Sequence, residues 1–299
     1  MFIGYGDGLI CYRDLRDESF EHPLIGHTNR INHLEGLPDS DKLFSSSNDC
    51  TVRQWAADQG ACERIFKFND PIFVSRICLE KGLLYTASWD KQVRAIQLDS
   101  GQVDSSFVAS REAIKSLLIS GKYIFVSGCD PVIRAYDTET GAVKLYEGHT
   151  SWVLCLETYA TYTEDGRVVS SWLLSGSDDN TIRIWDIEST KCLEELQGHK
   201  NGVTCLAFAN GELYSGSYDN FIIIWDVPEI EHRIYEKQMM KDEDLRSRKY
   251  ETYMRFIEAK RGKRKKGKKG KGKGKGKKKG KKWVITHLSH LSLNVGFIH

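Results

Sequence analysis

Residues Leu173–Ile187 read LLSGSDDNTIRIWDI, and residues Leu213–Val227 read LYSGSYDNFIIIWDV. Each stretch has an apolar run, Ser-Gly-Ser, a turn Asp and a second apolar run that closes on Trp-Asp. The interval is the same in both: Asp179 leads to Trp185-Asp186, and Asp219 leads to Trp225-Asp226. The same slot follows Asp7, Asp49, Asp90 and Asp130, so the pattern occurs six times at spacings of 42, 41, 40, 49 and 40 residues. In the fullest copy Gly148-His149 precedes runs at Val153–Leu156, Trp172–Ser175, Thr181–Trp185 and Cys192–Leu196. Four short β-branched or aromatic runs separated by Gly, Asp, Asn and Ser suit a four-stranded antiparallel sheet. Such a sheet has two apolar faces and cannot bury both alone. Stacking successive copies buries them and shortens the exposed edges.

A repeat of about 40–45 residues carrying Gly-His and Trp-Asp resembles the WD-repeat β-propeller family. The expected fold is all-β, with five complete blades and one partial N-terminal blade. The propeller would span 1–228, with repeats at about 1–24, 25–66, 67–107, 108–146, 147–196 and 197–228. A charged helical segment (229–259), a disordered Lys/Gly-rich tail (260–282) and an unassigned end (283–299) would follow.

The resemblance also implies a buried relay in each full copy, from the His after Gly to a strand Ser, the turn Asp and the Trp. By position the sets are His27, Ser47, Asp49, Trp55; His149, Ser177, Asp179, Trp185; and His199, Ser217, Asp219, Trp225. A Ser–His–Asp set invites a hydrolase reading, but catalytic constellations are not stamped out once per repeat, so the expected role is structural. Other copies depart from the pattern: the first has Arg13-Asp14 in the Trp-Asp slot, and Ala56 replaces the Asp after Trp55. The Asp90 unit has Asn69-Asp70 for Gly-His and Ile96-Gln97 for Trp-Asp, while Trp89-Asp90 lies in its turn. The Asp130 unit has Ser110-Arg111 for Gly-His, keeps Tyr136-Asp137 and carries Pro131 in its turn. These blades are expected to be held more by packing than by the relay.

Met1 falls inside a blade, with a second and third strand in FIGYGDGLICYRDL, a fourth at Ser19–Leu24 and no first. Two readings follow: a six-bladed ring with a defective seam, or an N-terminal truncation of a longer ring, which is favoured. An incomplete seam would expose a strand edge and invite self-association. The Asp179 unit carries an insertion within Glu157–Ser171, read as a longer hairpin; the alternative is a blade-specific contact on the face opposite the Gly-His loops.

The net charge of +2 hides an asymmetry. Lys260–Lys282 holds sixteen Lys or Arg and no acid, and the chain before it has 27 basic and 41 acidic residues. The tail cannot pack a core. It fits a nuclear or nucleolar address, non-specific attachment to RNA or DNA phosphates, or a solubilising arm; it has no aromatic to stack bases. Before it, Tyr250, Met254 and Ile257 fall at helical spacing, a narrow stripe that folds back on the propeller or meets a partner. After it, WVITHLSHLSLNVGFIH holds His287 and His290, a lone pair that makes a weak metal signal. The eight Cys form no CxxC pair and suit reduced packing positions in an intracellular protein. No apolar run approaches 18 residues, so no membrane span is expected. The alternating glycines lack the strand-before, helix-after context of a phosphate loop, and no cofactor is implied.

A propeller implies a non-enzymatic scaffold or adaptor that binds proteins or peptides on its faces. The alternatives are a nuclear or nucleolar factor whose tail holds RNA or chromatin non-specifically, and the substrate receptor of a ubiquitin ligase. The cytoplasm is the compartment if the tail is no address. The Gly-His loops and the turns before the third strands share one face. Matching positions there are Arg30, Trp89, Trp152, Asp178 and Tyr218, of types favoured as interface anchors.

Overall fold

The computed structural model describes residues 1–13, 21–38, 40–162 and 168–240. Every unit read from the repeat becomes one antiparallel sheet. The first comprises β1 (Phe2–Gly4), β2 (Ile10–Arg13) and β3 (Glu21–Leu24). The second comprises β4 (Ile31–Gly36), β5 (Lys42–Ser47), β6 (Thr51–Ala56) and β7 (Ala61–Lys67). The third holds β8 (Ile72–Cys78), β9 (Leu83–Ser88), β10 (Gln92–Gln97) and β11 (Val103–Val108). The fourth holds β12 (Ile114–Ser120), β13 (Tyr123–Gly128), β14 (Asp130–Asp137) and β15 (Val143–Tyr146). The fifth is β16 (Val153–Tyr162), β17 (Val168–Ser177), β18 (Thr181–Asp186) and β19 (Cys192–Gln197). The sixth is β20 (Val203–Ala209), β21 (Glu212–Ser217) and β22 (Ile222–Asp226), after which helix α1 runs over Val227–Met240. Together the sheets form a six-bladed β-propeller.

The core lies between blades rather than within them. Ile10, Leu24, Ile31, Leu43 and Trp55 join blades one and two, and Phe44, Val52, Ile72, Leu84 and Ile96 join two and three. Phe125, Tyr146, Val153, Leu173 and Trp185 join four and five. Polar links cross the same interfaces. Arg76 on β8 donates to Glu35 on β4 at 2.7 Å and to the Leu117 carbonyl on β12 at 3.1 Å. Tyr146 donates to the Ile187 carbonyl at 2.8 Å.

Three details differ from the sequence reading or sharpen it. The 197–228 repeat was counted as a complete blade, yet its sheet has three described strands. Chain that would turn toward a fourth becomes helix: Asp226 of the Trp-Asp pair accepts the Glu229 N–H at 3.2 Å, and Pro228 sits in the first turn where no N–H is needed. That helix also starts two residues before the expected boundary. The insertion is a longer hairpin, with β16 and β17 each ten residues and pairing out to Tyr162 opposite Val168. The stripe at Tyr250, Met254 and Ile257, the basic tail and residues 283–299 lie outside the described residues. The described residues divide into two compact units, at Ile224/Trp225. No described helix is long and apolar enough to cross a membrane.

Candidate functional site

The three full copies share a hydrogen-bonded His that joins the turn Asp to a strand Ser, and in two of them the Trp extends the chain. His27 meets Asp49 through Nδ1 at 2.7 Å and Ser45 through Nε2 at 2.7 Å, and the Trp55 indole donates to the same Ser45 oxygen at 2.8 Å. In the fifth blade His149 meets Asp179 at 2.8 Å and Ser175 at 2.7 Å, and Trp185 donates to Ser175 at 2.8 Å. In the sixth His199 meets Asp219 at 2.9 Å and Ser215 at 2.7 Å. The sequence reading assigned Ser47, Ser177 and Ser217 to this role, and the structure corrects it by two residues in each blade. Those serines cap the turn instead, donating to the carbonyls of Asn29, Trp152 and Asn201 and accepting the N–H of Asp49, Asp179 and Asp219. Residues two apart on a strand share a face, so both serines of each Ser-x-Ser point the same way. Only the depth reached by the His ring chooses between them.

Burial raises the Asp49 and Asp179 carboxyls, but donors outweigh it and hold both well below the usual carboxylate range. These donors are the partner His, the Thr two residues on, and the N–H of Thr28 or Thr150. Asp219 is brought down to about 2, where burial is opposed by the N–H groups of Lys200 and Phe221 and by His199. Ser45, Ser175 and Ser215 are sealed from solvent. Their oxygens are engaged inside the blade and out of a substrate's reach.

The blades without His hold their turn Asp differently. Arg94 pairs with Asp90, and Arg134 pairs with Asp130 at 2.7 Å, each from four residues along. Packing was expected to carry these blades; a charged hydrogen bond supplements it.

On the face that carries the Gly-His loops, one backbone bond recurs in five blades. The residue after the second strand donates its N–H to the carbonyl of the residue before the first strand, which is the innermost of each blade: Asn48 to Arg30, Trp89 to Pro71, Cys129 to Ala113, Asp178 to Trp152, Tyr218 to Gly202. These bonds, 2.8–3.1 Å long, place ten residues around one rim. Trp89, Trp152 and Tyr218 are each about half exposed, at 50%, 47% and 55%. Asp178 is exposed and accepts from Ser151 at 3.3 Å; Arg30 is half-buried. Gly202 lies between Asp178 and Tyr218, so close that a Cβ there would come within 2.7 Å of Asp178 Oδ1.

Sequence reasoning missed the residues that join these positions. Each innermost strand shifts register after its first residue, at Ile31/His33, Ile72/Val74, Ile114/Ser116, Val153/Cys155 and Val203/Cys205. The skipped residues are Asn32, Phe73, Lys115, Leu154 and Thr204. A residue left out of the ladder by a bulge is free to re-aim its side chain. Asn32 donates to the Asn48 side chain at 2.7 Å and to the Ile72 carbonyl at 2.9 Å. Phe73 packs on Trp89 with ring centres 5.7 Å apart. Lys115 places its ammonium 5.4 Å from the Phe73 ring and 5.5 Å from the Trp152 ring. All five sequence-selected positions therefore fall on one arc, from Arg30 through Trp89 and Trp152 to Asp178 and Tyr218. A positional signal existed: the skipped residue is always second in the innermost strand. Among the described residues no cluster of His, Cys, Asp and Glu could hold a metal ion.

The family described as WD domain, G-beta repeat, matches residues 18–56, 141–186 and 190–226. Nuclear distribution protein nudF of Aspergillus niger is 25% identical over 204 residues, covering 66% of this chain and 44% of that protein. A ribosome biogenesis protein WDR12 homolog of Arabidopsis thaliana is 24% identical over 223 residues, covering 63% and 49%. Protein Notchless of Drosophila melanogaster is 27% identical over 192 residues, covering 62% and 38%. The chain thus spans between 38% and 49% of the length of these relatives. Among solved structures, the WD40 β-propeller domain of Doa1 superposes with a TM-score of 0.61 at 23% identity, covering 75% of this chain and 73% of that one.

Proposed function

We propose that this chain, a member of the WD-repeat β-propeller family, is a non-enzymatic scaffold that binds a protein or peptide on the rim carrying Arg30, Trp89, Trp152, Asp178 and Tyr218. One observation carries the reading. Three large aromatics stand about half in water on a framework of repeated backbone bonds, where folding alone would favour their burial. Trp, Tyr and Arg are also the side chains that most often dominate interface energetics. The recurring backbone bonds pin the rim in five blades, and a pinned rim loses little entropy when it binds. The work would be intracellular.

Replacing Trp89, Trp152 and Tyr218 together by Ala tests this. The variant should melt close to the parent and lose the proteins that the parent retains from a cell extract. An unchanged set of retained proteins would refute the rim.

A second reading rests on the sixteen Lys and Arg of Lys260–Lys282 and on the similarity to a ribosome biogenesis protein. Here the ring holds protein while the tail holds nucleic acid without sequence preference. If six to ten phosphates are engaged, affinity falls about a thousandfold or more between roughly 50 and 200 mM salt. Binding that survives removal of Gly262–Lys282 would exclude the tail.

A further inference from the structure

We infer that the rim reads a carboxylate, and that its ligand is a peptide carrying an acidic side chain between apolar ones, with the acid held by Lys115. This deepens the rim reading above and depends on it.

Lys115 leaves the ladder at the bulge of β12, and its ammonium sits between two ring faces contributed by neighbouring blades, Phe73 at 5.4 Å and Trp152 at 5.5 Å. Both distances lie within reach of a cation–π attraction. The rings fix the charge and strip part of its water, yet they supply no counter-ion. No described carboxylate forms an ion pair with it; Glu112, three residues back, is taken by Lys91 at 3.6 Å. Lys115 is half-buried, so its remaining donors open on the rim. A cation held in place, partly desolvated and lacking an anion rewards an incoming carboxylate more than a solvated surface Lys does.

The surroundings define the rest of the ligand. Trp89 extends the apolar wall beyond Phe73, and Trp152 closes it on the opposite side. An apolar side chain on each side of the acid would lie on these rings. Asp178, bonded through its backbone to Trp152, places a negative charge at the far end and disfavours a second acid there. The expected ligand therefore has one central acid, not an acidic run.

The test uses the whole chain, labelled to resolve the indole N–H signals of Trp89 and Trp152 by NMR. The probes are three blocked heptapeptides that differ at one central position, Glu, Gln or Lys, between two Leu. The Glu peptide should shift both indole signals and bind about tenfold more tightly than the Gln peptide, with the Lys peptide weaker still. In Lys115→Gln the Glu preference should vanish while the Gln peptide binds as before. In Trp152→Ala all three should weaken together. Rising salt should erode binding of the Glu peptide and leave the Gln peptide unaffected.

Equal affinity for Glu and Gln peptides in the parent, or a preference that survives Lys115→Gln, overturns the carboxylate inference and leaves the rim reading standing. Failure of all three peptides to shift either indole also overturns it. The rim reading fails separately, through the triple-Ala variant.

Discussion

Arg134 holds Asp130 from four residues along β14, its Nη2 2.7 Å from the Asp130 Oδ2, in a blade that has Ser110-Arg111 in place of Gly-His. Arg94 does the same for Asp90. The equivalent arginines of two relay blades, Arg53 and Arg183, instead lie over Trp55 and Trp185, 6.0 and 5.9 Å from the ring centres. The Gly before the relay His makes room for them: a Cβ at Gly26 or Gly148 would strike the guanidinium. One strand position thus has two uses, set by whether a His already occupies the Asp.

Asp130→Ala should cost about 1–3 kcal/mol, because it strands a mostly buried guanidinium. Arg134→Met should cost a similar amount by leaving the carboxylate short of a donor. The double variant should cost less than the sum, with a coupling of about 1–2 kcal/mol, readable from urea midpoints. Asp90→Ala should match Asp130→Ala through the loss of its pairing with Arg94. Strict additivity at 130 and 134 would remove the pair.

Ser175→Ala should destabilise more than Ser177→Ala. The first strips a partner from both His149 and Trp185 inside the blade, at about 1–3 kcal/mol for each buried group left unmet. The second leaves only the Asp179 N–H unmet, because the Trp152 carbonyl keeps its bond from the Asp178 N–H, and should cost about 1 kcal/mol. Thermal or denaturant unfolding of the two variants decides the order. The reverse order would restore the serine assignment read from sequence.

Glu157 on β16 should make the protein less stable as pH rises. Burial pushes its carboxyl up to about 7, against the Thr158 N–H and the charge of Arg76 that pull it down. The unfolded chain releases that proton near pH 4.3. The folded state therefore binds the proton more tightly, and the penalty grows above the unfolded value until the carboxyl ionises at about 7. Glu157→Gln removes the penalty, so its advantage over the parent should widen by about 2 kcal/mol between roughly pH 5 and 8. A stability difference that stays flat over that range would contradict the burial of this carboxyl.

Gly128→Ala should be among the most damaging single-methyl additions in the ring. Four other blades carry Ser47, Ser88, Ser177 and Ser217 at this place. In the fourth blade the backbone comes so close that a Cβ would lie 2.0 Å from the Ala113 carbonyl oxygen. The neighbour is backbone and cannot rotate away, so a loss above about 2 kcal/mol is expected in calorimetry. A melting temperature equal to the parent's would show that the fourth blade can open at that point without cost.

Much of the ring was legible because its causes are local. The turn Asp bonds the N–H two residues on, as Asp49 does to Thr51 and Asp179 to Thr181, and the strands on either side follow from alternation and β-branching. His, Asp and Trp of the relay fall within one unit of about 40 residues, so a fixed interval finds them. Ser45, Ser175 and Ser215 could not be chosen from Ser-x-Ser, since both serines share a face and only the seated His ring separates them. The substitution of Arg94 and Arg134 for a missing His was likewise unreadable, because the same residue type at the same position stacks on Trp elsewhere. Sequence alone determined the repeat, its strands and the face on which Arg30, Trp89, Trp152, Asp178 and Tyr218 would stand. Tertiary structure alone decided that Phe73, Lys115 and Trp152, which lie on three different blades, would meet. That contact depends on a bulge that turns Lys115 out of its ladder and on a ring that brings residues about 40 positions apart within 6 Å, and neither is encoded within a single unit.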